Sequence, residues 1–378
     1  MTFKFHCKFC QSKIEAPSEY KGSSIDCPTC NERLHAPSPT LSTGTVMDDY
    51  TIDALIGAGS MGEVYSAQQT TMERDVAIKF IHQDKLEDDE ERARFQREIK
   101  NLAKLTHPNI IGAIAAGKYM NNFYLVMNLV IGHSCEDIVE DGEPMDEKKA
   151  LTYGLQVADA LKYTWGNFNM LHRDLKPANI MIDKASDKAM LADMGIAKSI
   201  GTDIDLTMGG MVIGSPYYMS PEQAAGEDLD QRSDIYGLGA TLYHLFSGVP
   251  PYDGGAPMQV LSLKLSKNPA PLSKLNPDLP EDYCKLVAKL MKRDMNERPA
   301  DWDEAISLIK KVLKGKSIDA KKAPEPKRND GAKPIRVNAS NTPKSPARKK
   351  PAPAKSGGCL GLVVFGFITV ASGIKFFL

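Results

Sequence analysis

A chain of 378 residues is too long for one small domain and long enough to bury a large core, and 42% hydrophobic with 25% charged residues is the composition of an ordinary globular protein. A formal net charge of -1 points to no particular partner through bulk charge. The average conceals one asymmetry, because Lys314 to Ser356 carries +10 and leaves -11 for the remainder.

The chain starts with a cysteine-rich stretch, residues 1–36. Cys7 and Cys10 form one C-x-x-C pair, Cys27 and Cys30 a second, and 16 residues lie between them, which is the spacing of a four-cysteine zinc site. Two cysteines three apart sit in one tight turn and present both sulfurs to a tetrahedral Zn2+. Two disulfides or a redox pair are the alternatives. The start "MTFKFHCKFC" lacks the apolar core of a secretory signal, and a redox pair is single and set in a βαβ unit. His6 and His35 are read as bystanders. The segment resembles a zinc ribbon, and its few aromatics and mixed charge give no platform for base stacking, so nucleic acid is not an expected partner. Residues 37–49 read as a short polar spacer.

From about residue 50 to 313, strand and helix signals alternate over one long globular stretch. "LIGAGSMGEVYSA" places Gly57, Gly59 and Gly62 at G-x-G-x-x-G. The following Glu63 to Ala67 reads as a second strand, whereas a dinucleotide site needs a helix there, so this is a hairpin suited to closing over phosphates. "DVAIKFI" is an apolar strand with one basic residue, Lys79, on its inner side, placed for a phosphate contact. Phe95, Ile99, Leu102 and Leu105 give the next segment helical periodicity, with Glu98 in reach of Lys79. "LHRDLKPANIMI" sets Asp174 and Asn179 five apart in a loop, with His172, Arg173 and Lys176 around them. Asp193-Met194-Gly195 follows a short apolar run; alone, such a triplet is an ordinary turn.

Beyond this region, residues 314–356 are rich in Pro, Ala and Lys, a composition that buries too little apolar surface to fold, and are read as a disordered linker. Residues 357–378 contain an uncharged run of 16 residues, Cys359 to Ile374. As a helix it spans ~24 Å, extended by Phe376 to Leu378 with Lys375 snorkelling, and a helix after a disordered linker has no core to join. The run is therefore read as a membrane tail anchor, with the basic linker and the globular region on the cytoplasmic side.

Residues 50–313, with these motifs in order, resemble eukaryotic-like protein kinases, and most closely the bacterial serine/threonine kinases. The resemblance implies a bilobal α+β protein kinase fold, with a small β-rich lobe over 50–128, a helical lobe over 129–313 and ATP between them. It implies that the protein transfers the γ-phosphate of ATP to protein serine or threonine hydroxyls. Asp174 then orients and accepts the proton of the substrate hydroxyl, Lys176 neutralises the γ-phosphate, Lys79 with Glu98 holds the other phosphates, and Asn179 and Asp193 bind Mg2+. The ATP-binding residues implied are Ile56, Gly57, Gly59, Gly62, Val64, Ala77, Lys79, the gatekeeper Met127, Asn128 and Val130. Met194 replaces the usual Phe of the D-F-G triplet and fills similar space.

Glu222 of "SPE" and Arg298 of "NERPA" match a structural ion pair, and Asp234 matches an aspartate that braces the catalytic loop. In the activation segment, Ser215 matches a substrate-positioning threonine. Thr207, ahead of Thr202, is expected as the autophosphorylation site, its phosphate pairing with Arg173. The alternative is a pseudokinase scaffold that binds nucleotide or partners without transfer, and the presence of Lys79, Asp174 and Asp193 weighs against it.

Overall fold

The computed structural model describes residues 2–7, 12–17, 20–36, 40–59, 62–81, 89–120, 122–194, 216–252 and 257–319. Cys10, the activation-segment residues Thr202, Thr207 and Ser215, the linker beyond residue 319 and the apolar tail lie outside them, as does the side chain of Phe95.

Two small hairpins form the N-terminal ribbon. Strand β1 (Thr2–His6) pairs antiparallel with β2 (Lys13–Pro17), and β3 (Ser24–Asp26) with β4 (Arg33–His35). Phe5, Ile14, Ala16, Leu34 and Ala36 are buried between them together with Cys7 and Cys27.

The next sheet has six strands in the order β5-β6-β7-β8-β10-β9, all antiparallel. Its strands are β5 (Val46–Met47), β6 (Tyr50–Gly59), β7 (Gly62–Gln69), β8 (Arg74–Ile81), β9 (Ala113–Tyr119) and β10 (Asn122–Asn128). The two-residue period of a strand decides which face each side chain joins. Val76, Ile78 and Phe80 of β8, with Tyr124 and Val126 of β10, point into one core, and Ala77, Ile81, Leu125 and Met127 point the other way. Lys79 belongs to the second set by parity and is opposite Val64 on β7 and Leu125 on β10. Helix α1 (Asp89–Leu102) connects β8 to β9, its last residue Leu102 and the following Leu105 both buried. Gly62 opens β7 at φ +145°, and a Cβ there would lie 2.0 Å from the Phe80 carbonyl oxygen, so the hairpin admits only glycine at this point.

The polar spacer expected over residues 37–49 is more tightly built than its composition suggests. Leu41 and Met47 are buried in the small-lobe core. The Thr40 N–H donates to Glu63 Oε2 at 3.0 Å and the Leu41 N–H to the Tyr65 hydroxyl at 3.1 Å. Two apolar side chains in a polar run were enough to dock it, a pattern too short for periodicity to reveal.

The helical lobe follows β10 without a break. Strand β11 (Gly132–Ser134) leads into the short helix α2 (Cys135–Ile138), capped by Ser134, and then into the long α3 (Glu147–Phe168). The Asp146 carboxylate accepts the Lys149 N–H at the start of α3, and Asn169 at φ +50° ends it. Strands β12 (Ile180–Asp183) and β13 (Lys188–Leu191) complete a three-stranded sheet with β11. Six helices close the lobe among the described residues: α4 (Pro221–Ala225), α5 (Gln231–Ser247), α6 (Pro257–Ser266), α7 (Leu272–Leu275), α8 (Glu281–Leu290) and α9 (Trp302–Leu313). Helix α5 is apolar on nearly every side, from Ile235 to Phe246, because α3, α8 and α9 pack around it. This central helix anchors the loop described next.

Candidate active site

The loop between α3 and β12 carries His172, Arg173, Asp174, Lys176 and Asn179. Arg173 adopts φ +67°, a left-handed conformation that costs a non-glycine residue about 1–2 kcal/mol. Buried Asp234, in the first turn of α5, offsets that cost by accepting the N–H of His172 at 2.7 Å and of Arg173 at 2.9 Å. Gln223 on α4 holds the other side of the same residue, donating from Nε2 to the Arg173 carbonyl at 2.8 Å. The His172 ring is buried, with Nε2 2.9 Å from the Ala192 carbonyl and Nδ1 3.3 Å from the Asp174 N–H. Those partners assign the ring proton to Nε2.

Asp174 is the hub of the loop. Asn179 donates from Nδ2 to its carbonyl at 2.7 Å and to Oδ2 at 3.2 Å, and Lys176 Nζ stands 2.9 Å from Oδ2. Burial by itself pushes the Lys176 ammonium down, but the Asp174 carboxylate outweighs it and holds the group above its ordinary value.

Asp193 lies two residues past β13 at φ +56°, and its Oδ1 accepts from Lys79 Nζ at 2.7 Å. Burial raises the Asp193 carboxyl, and the charge and hydrogen bond of Lys79, with the charge of Lys176, more than reverse this, leaving it below the usual carboxylate range. Lys79 is 4% exposed, so its charge is effective through low dielectric. The carboxylate recorded at hydrogen-bond distance from Lys79 is thus that of Asp193, while Glu98 stands half-buried on α1. Met194 is buried and faces a narrow cavity with Leu102, Leu105, Leu125 and Met127. Around the same cleft Ala77 pairs with Met127 across β8 and β10, Val64 is half-buried, Gly57 and Gly59 end β6, Asn128 ends β10 and Val130 follows it. Ile56 is exposed.

Glu222 and Arg298 form a buried bidentate pair at 2.6 and 2.7 Å. The five N–H groups of Arg298 all find acceptors, the other three being the carbonyls of Arg232, Lys292 and Arg293. The guanidinium also lies 5.0 Å from the centre of the Tyr236 ring.

Sequence reasoning missed two contributors to this region. Gln223 was one. The other is Lys264 on α6, fully buried, which donates to the Tyr217 carbonyl at 3.1 Å and lies 4.9 and 5.1 Å from the ring centres of Tyr252 and Tyr236. Burial pushes its ammonium down to about 7. The one available signal was a lysine set in the apolar run "VLSLKL".

In the ribbon, the sulfurs of Cys7, Cys27 and Cys30 all lie within 4.8 Å of one another, and Cys7 Sγ is 3.7 Å from Cys30 Sγ. Burial raises the Cys27 thiol, but hydrogen bonds from the Cys30 backbone, Ser12 and Thr29 outweigh this and bring it down to about 6.

A glycine hairpin over a cleft, a strand lysine paired with an aspartate and a braced Asp174–Asn179 loop together define a bilobal protein kinase domain. The protein kinase domain family matches residues 50–314, and the chain belongs to that family. It is 34% identical over 279 residues to serine/threonine-protein kinase PknB of Mycobacterium leprae, covering 73% of this chain and 44% of the relative. Serine/threonine-protein kinase pkn3 of Myxococcus xanthus is 32% identical over 316 residues, covering 80% of this chain and 57% of the relative. The match thus spans roughly half the length of these curated relatives. The crystal structure of the Mycobacterium tuberculosis PknI kinase domain is similar at a TM-score of 0.59 and 29% identity, covering 73% of this chain and 100% of that one.

The buried ion pair has a measurable consequence. Glu222→Gln leaves the Arg298 charge without its counter-charge and lowers unfolding stability by about 3 kcal/mol in urea titration, and Glu222→Leu combined with Arg298→Met does not recover the loss, because the carbonyls of Arg232, Lys292 and Arg293 then lack their donor. Equal stability of wild type and Glu222→Gln contradicts this account of the pair.

Proposed function

We propose that the protein transfers the γ-phosphate of ATP to serine or threonine hydroxyls of protein substrates, in the cleft between Lys79 and the Asp174 loop. The observation that carries this reading is the connected set of charges across the cleft, Lys79–Asp193 on one side and Lys176–Asp174–Asn179 on the other. Asp174 accepts the substrate hydroxyl's proton and orients its oxygen for in-line attack. Lys176, held cationic beside it, stabilises charge on the transferring group, and Lys79 neutralises the phosphates behind it. The glycine hairpin, open to close backbone approach at Gly57, Gly59 and Gly62, covers the triphosphate.

The residues present suit Mg2+. Asp193 is held deprotonated, and with its NH2 spent on Asp174 the remaining polar atom of Asn179 is an acceptor, as a hard cation requires. Asn179 and Asp193 would hold Mg2+, which would supply neutralisation of phosphate charge. In the activation segment, Thr207 is the proposed autophosphorylation site and Arg173 its partner, with Thr202 as the second candidate and Ser215 positioning substrate.

The N-terminal ribbon is proposed to hold structural Zn2+ through Cys7, Cys10, Cys27 and Cys30. Three clustered sulfurs, one of them readily deprotonated, supply three of the four donors that a tetrahedral thiolate site needs, and Cys10, outside the described residues, is the proposed fourth. For the tail, residues 357–378 are proposed as a single-pass membrane anchor on the strength of their uncharged run behind a basic linker. Among the described residues no helix is long and apolar enough to cross a membrane.

Asp174→Asn should abolish phosphate transfer to a generic protein substrate, with nucleotide affinity retained, and Asp193→Asn should remove the magnesium-dependent rate. Undiminished transfer in both variants would defeat the kinase reading. Phosphosite mapping after incubation of wild type with ATP should find Thr207 first, and full activity of Thr207→Ala would show that the switch lies elsewhere. Metal analysis of purified protein should give about one zinc per chain, lost on treatment with a strong chelator, and a clearly lower content counts against the four-cysteine site. Deleting residues 357–378 should move the protein from the membrane to the soluble fraction; an unchanged distribution rules out the anchor.

A further inference from the structure

The ribbon touches the kinase domain at two places on opposite lobes. Strand β1 lies against β6, and the ribbon core of Phe5, Ile14, Ala16 and Leu34 takes in Leu55 and Ala58 of that strand. Ala58 stands between Gly57 and Gly59 of the glycine hairpin and is 8% exposed. At the second place Lys13, the first residue of β2, forms an ion pair with Asp137 on α2 and lies 3.4 Å from Glu140 just beyond it. Glu136 adds a third carboxylate to the field around this lysine, whose side chain is only 12% exposed.

These two contacts fall on the two rims of one cleft. The glycine hairpin is its upper rim, and α2 follows directly from the segment that joins the lobes, Asn128 to Ser134. A body fixed to both rims resists their separation, and lobe opening is the step by which nucleotides enter and leave sites of this architecture. The apolar seam also restrains the hairpin itself, which must lift to admit a triphosphate. Because few residues separate β4 from β5, the ribbon's effective concentration at the rims is high, and a modest contact suffices to keep it seated.

We propose that the ribbon is an intramolecular strap across the nucleotide cleft, docked on the glycine hairpin and on the acidic face of α2, and that it slows nucleotide entry and release until it is displaced. This rests on the reading of the cleft as an ATP site. Among the described residues Lys13 is a polar fastening of the strap, and charge reversal there sets a carboxylate against Asp137, Glu140 and Glu136 without touching the cysteines or the cleft.

The test uses the full chain. A fluorescent ADP analogue is released in stopped flow from wild type, Lys13→Ala, Lys13→Glu and Lys13→Glu combined with Glu140→Lys, with hydrogen exchange of residues 55–64 followed in parallel. Lys13→Glu should release the analogue at least about fivefold faster, with faster exchange in the hairpin and unchanged zinc content. Lys13→Ala should give a smaller effect of the same sign, and the added Glu140→Lys should restore slow release. Release and exchange unchanged in both single variants, or slower release in Lys13→Glu, would overturn the strap. Because release is read on bound nucleotide and does not require phosphate transfer, its failure and the failure of the kinase reading are told apart: a protein that binds and holds the analogue yet transfers no phosphate still decides the question.

Discussion

The fold converges on one carboxylate. Asp234 is buried and spends both oxygens on the N–H groups of His172 and Arg173, the residues immediately before Asp174. Burial raises its carboxyl, opposed by those hydrogen bonds and by the Arg173 charge, so the group and its loop depend on each other. With Gln223 on the opposite side, Arg173 is gripped at its N–H and its carbonyl, and this makes a left-handed arginine tolerable. The position of Asp174 is therefore set by α4 and α5 more than by its own segment. That is why α5 must be immovable, and its apolar packing between α3, α8 and α9 makes it so.

A second layer of support lies behind the first. Arg298 connects Glu222 on α4 to the carbonyls of Arg232, Lys292 and Arg293, and so holds together the elements from which Gln223 and Asp234 project. A guanidinium is suited to this because its five donors point in fixed directions in one plane, and a lysine would satisfy fewer of these partners. Lys264 plays a looser part, supporting the Tyr217 carbonyl beneath two aromatic rings.

How far the sequence revealed all this depends on the kind of signal. The glycine hairpin and its strands were legible because turn chemistry and two-residue alternation are local, and the alternation alone places Lys79 on the face shared with Ala77 and Met127. Asp174, Asn179 and Asp193 were legible as a family order of motifs. What remained hidden were partners fixed only by tertiary packing. Gln223 meets a carbonyl 50 positions away, Lys264 one 47 positions away, and Lys13 a carboxylate 124 positions away. None of these polar residues has a local pattern that distinguishes it from a solvated one. The partner of Lys79 belongs to the same category, since a lysine between Asp193 and Glu98 can lean to either and only the three-dimensional arrangement decides.

The segment joining the lobes has a mechanical character of its own. The Asn128 N–H donates to the Gly112 carbonyl at 3.0 Å, and the Lys184 N–H donates to the Ile131 carbonyl at 2.9 Å. Immediately after, Gly132 lies so close to the neighbouring strand that a Cβ would sit 1.8 Å from the Ile182 carbonyl oxygen. The connection is thus tethered to the upper sheet at one end and to the lower sheet at the other, with Leu129, which packs against the large core, and Val130 between the two tethers. With planar peptides, rotation of one lobe against the other reduces to a few torsions about those two residues, a joint that bends along few directions and returns to the same place.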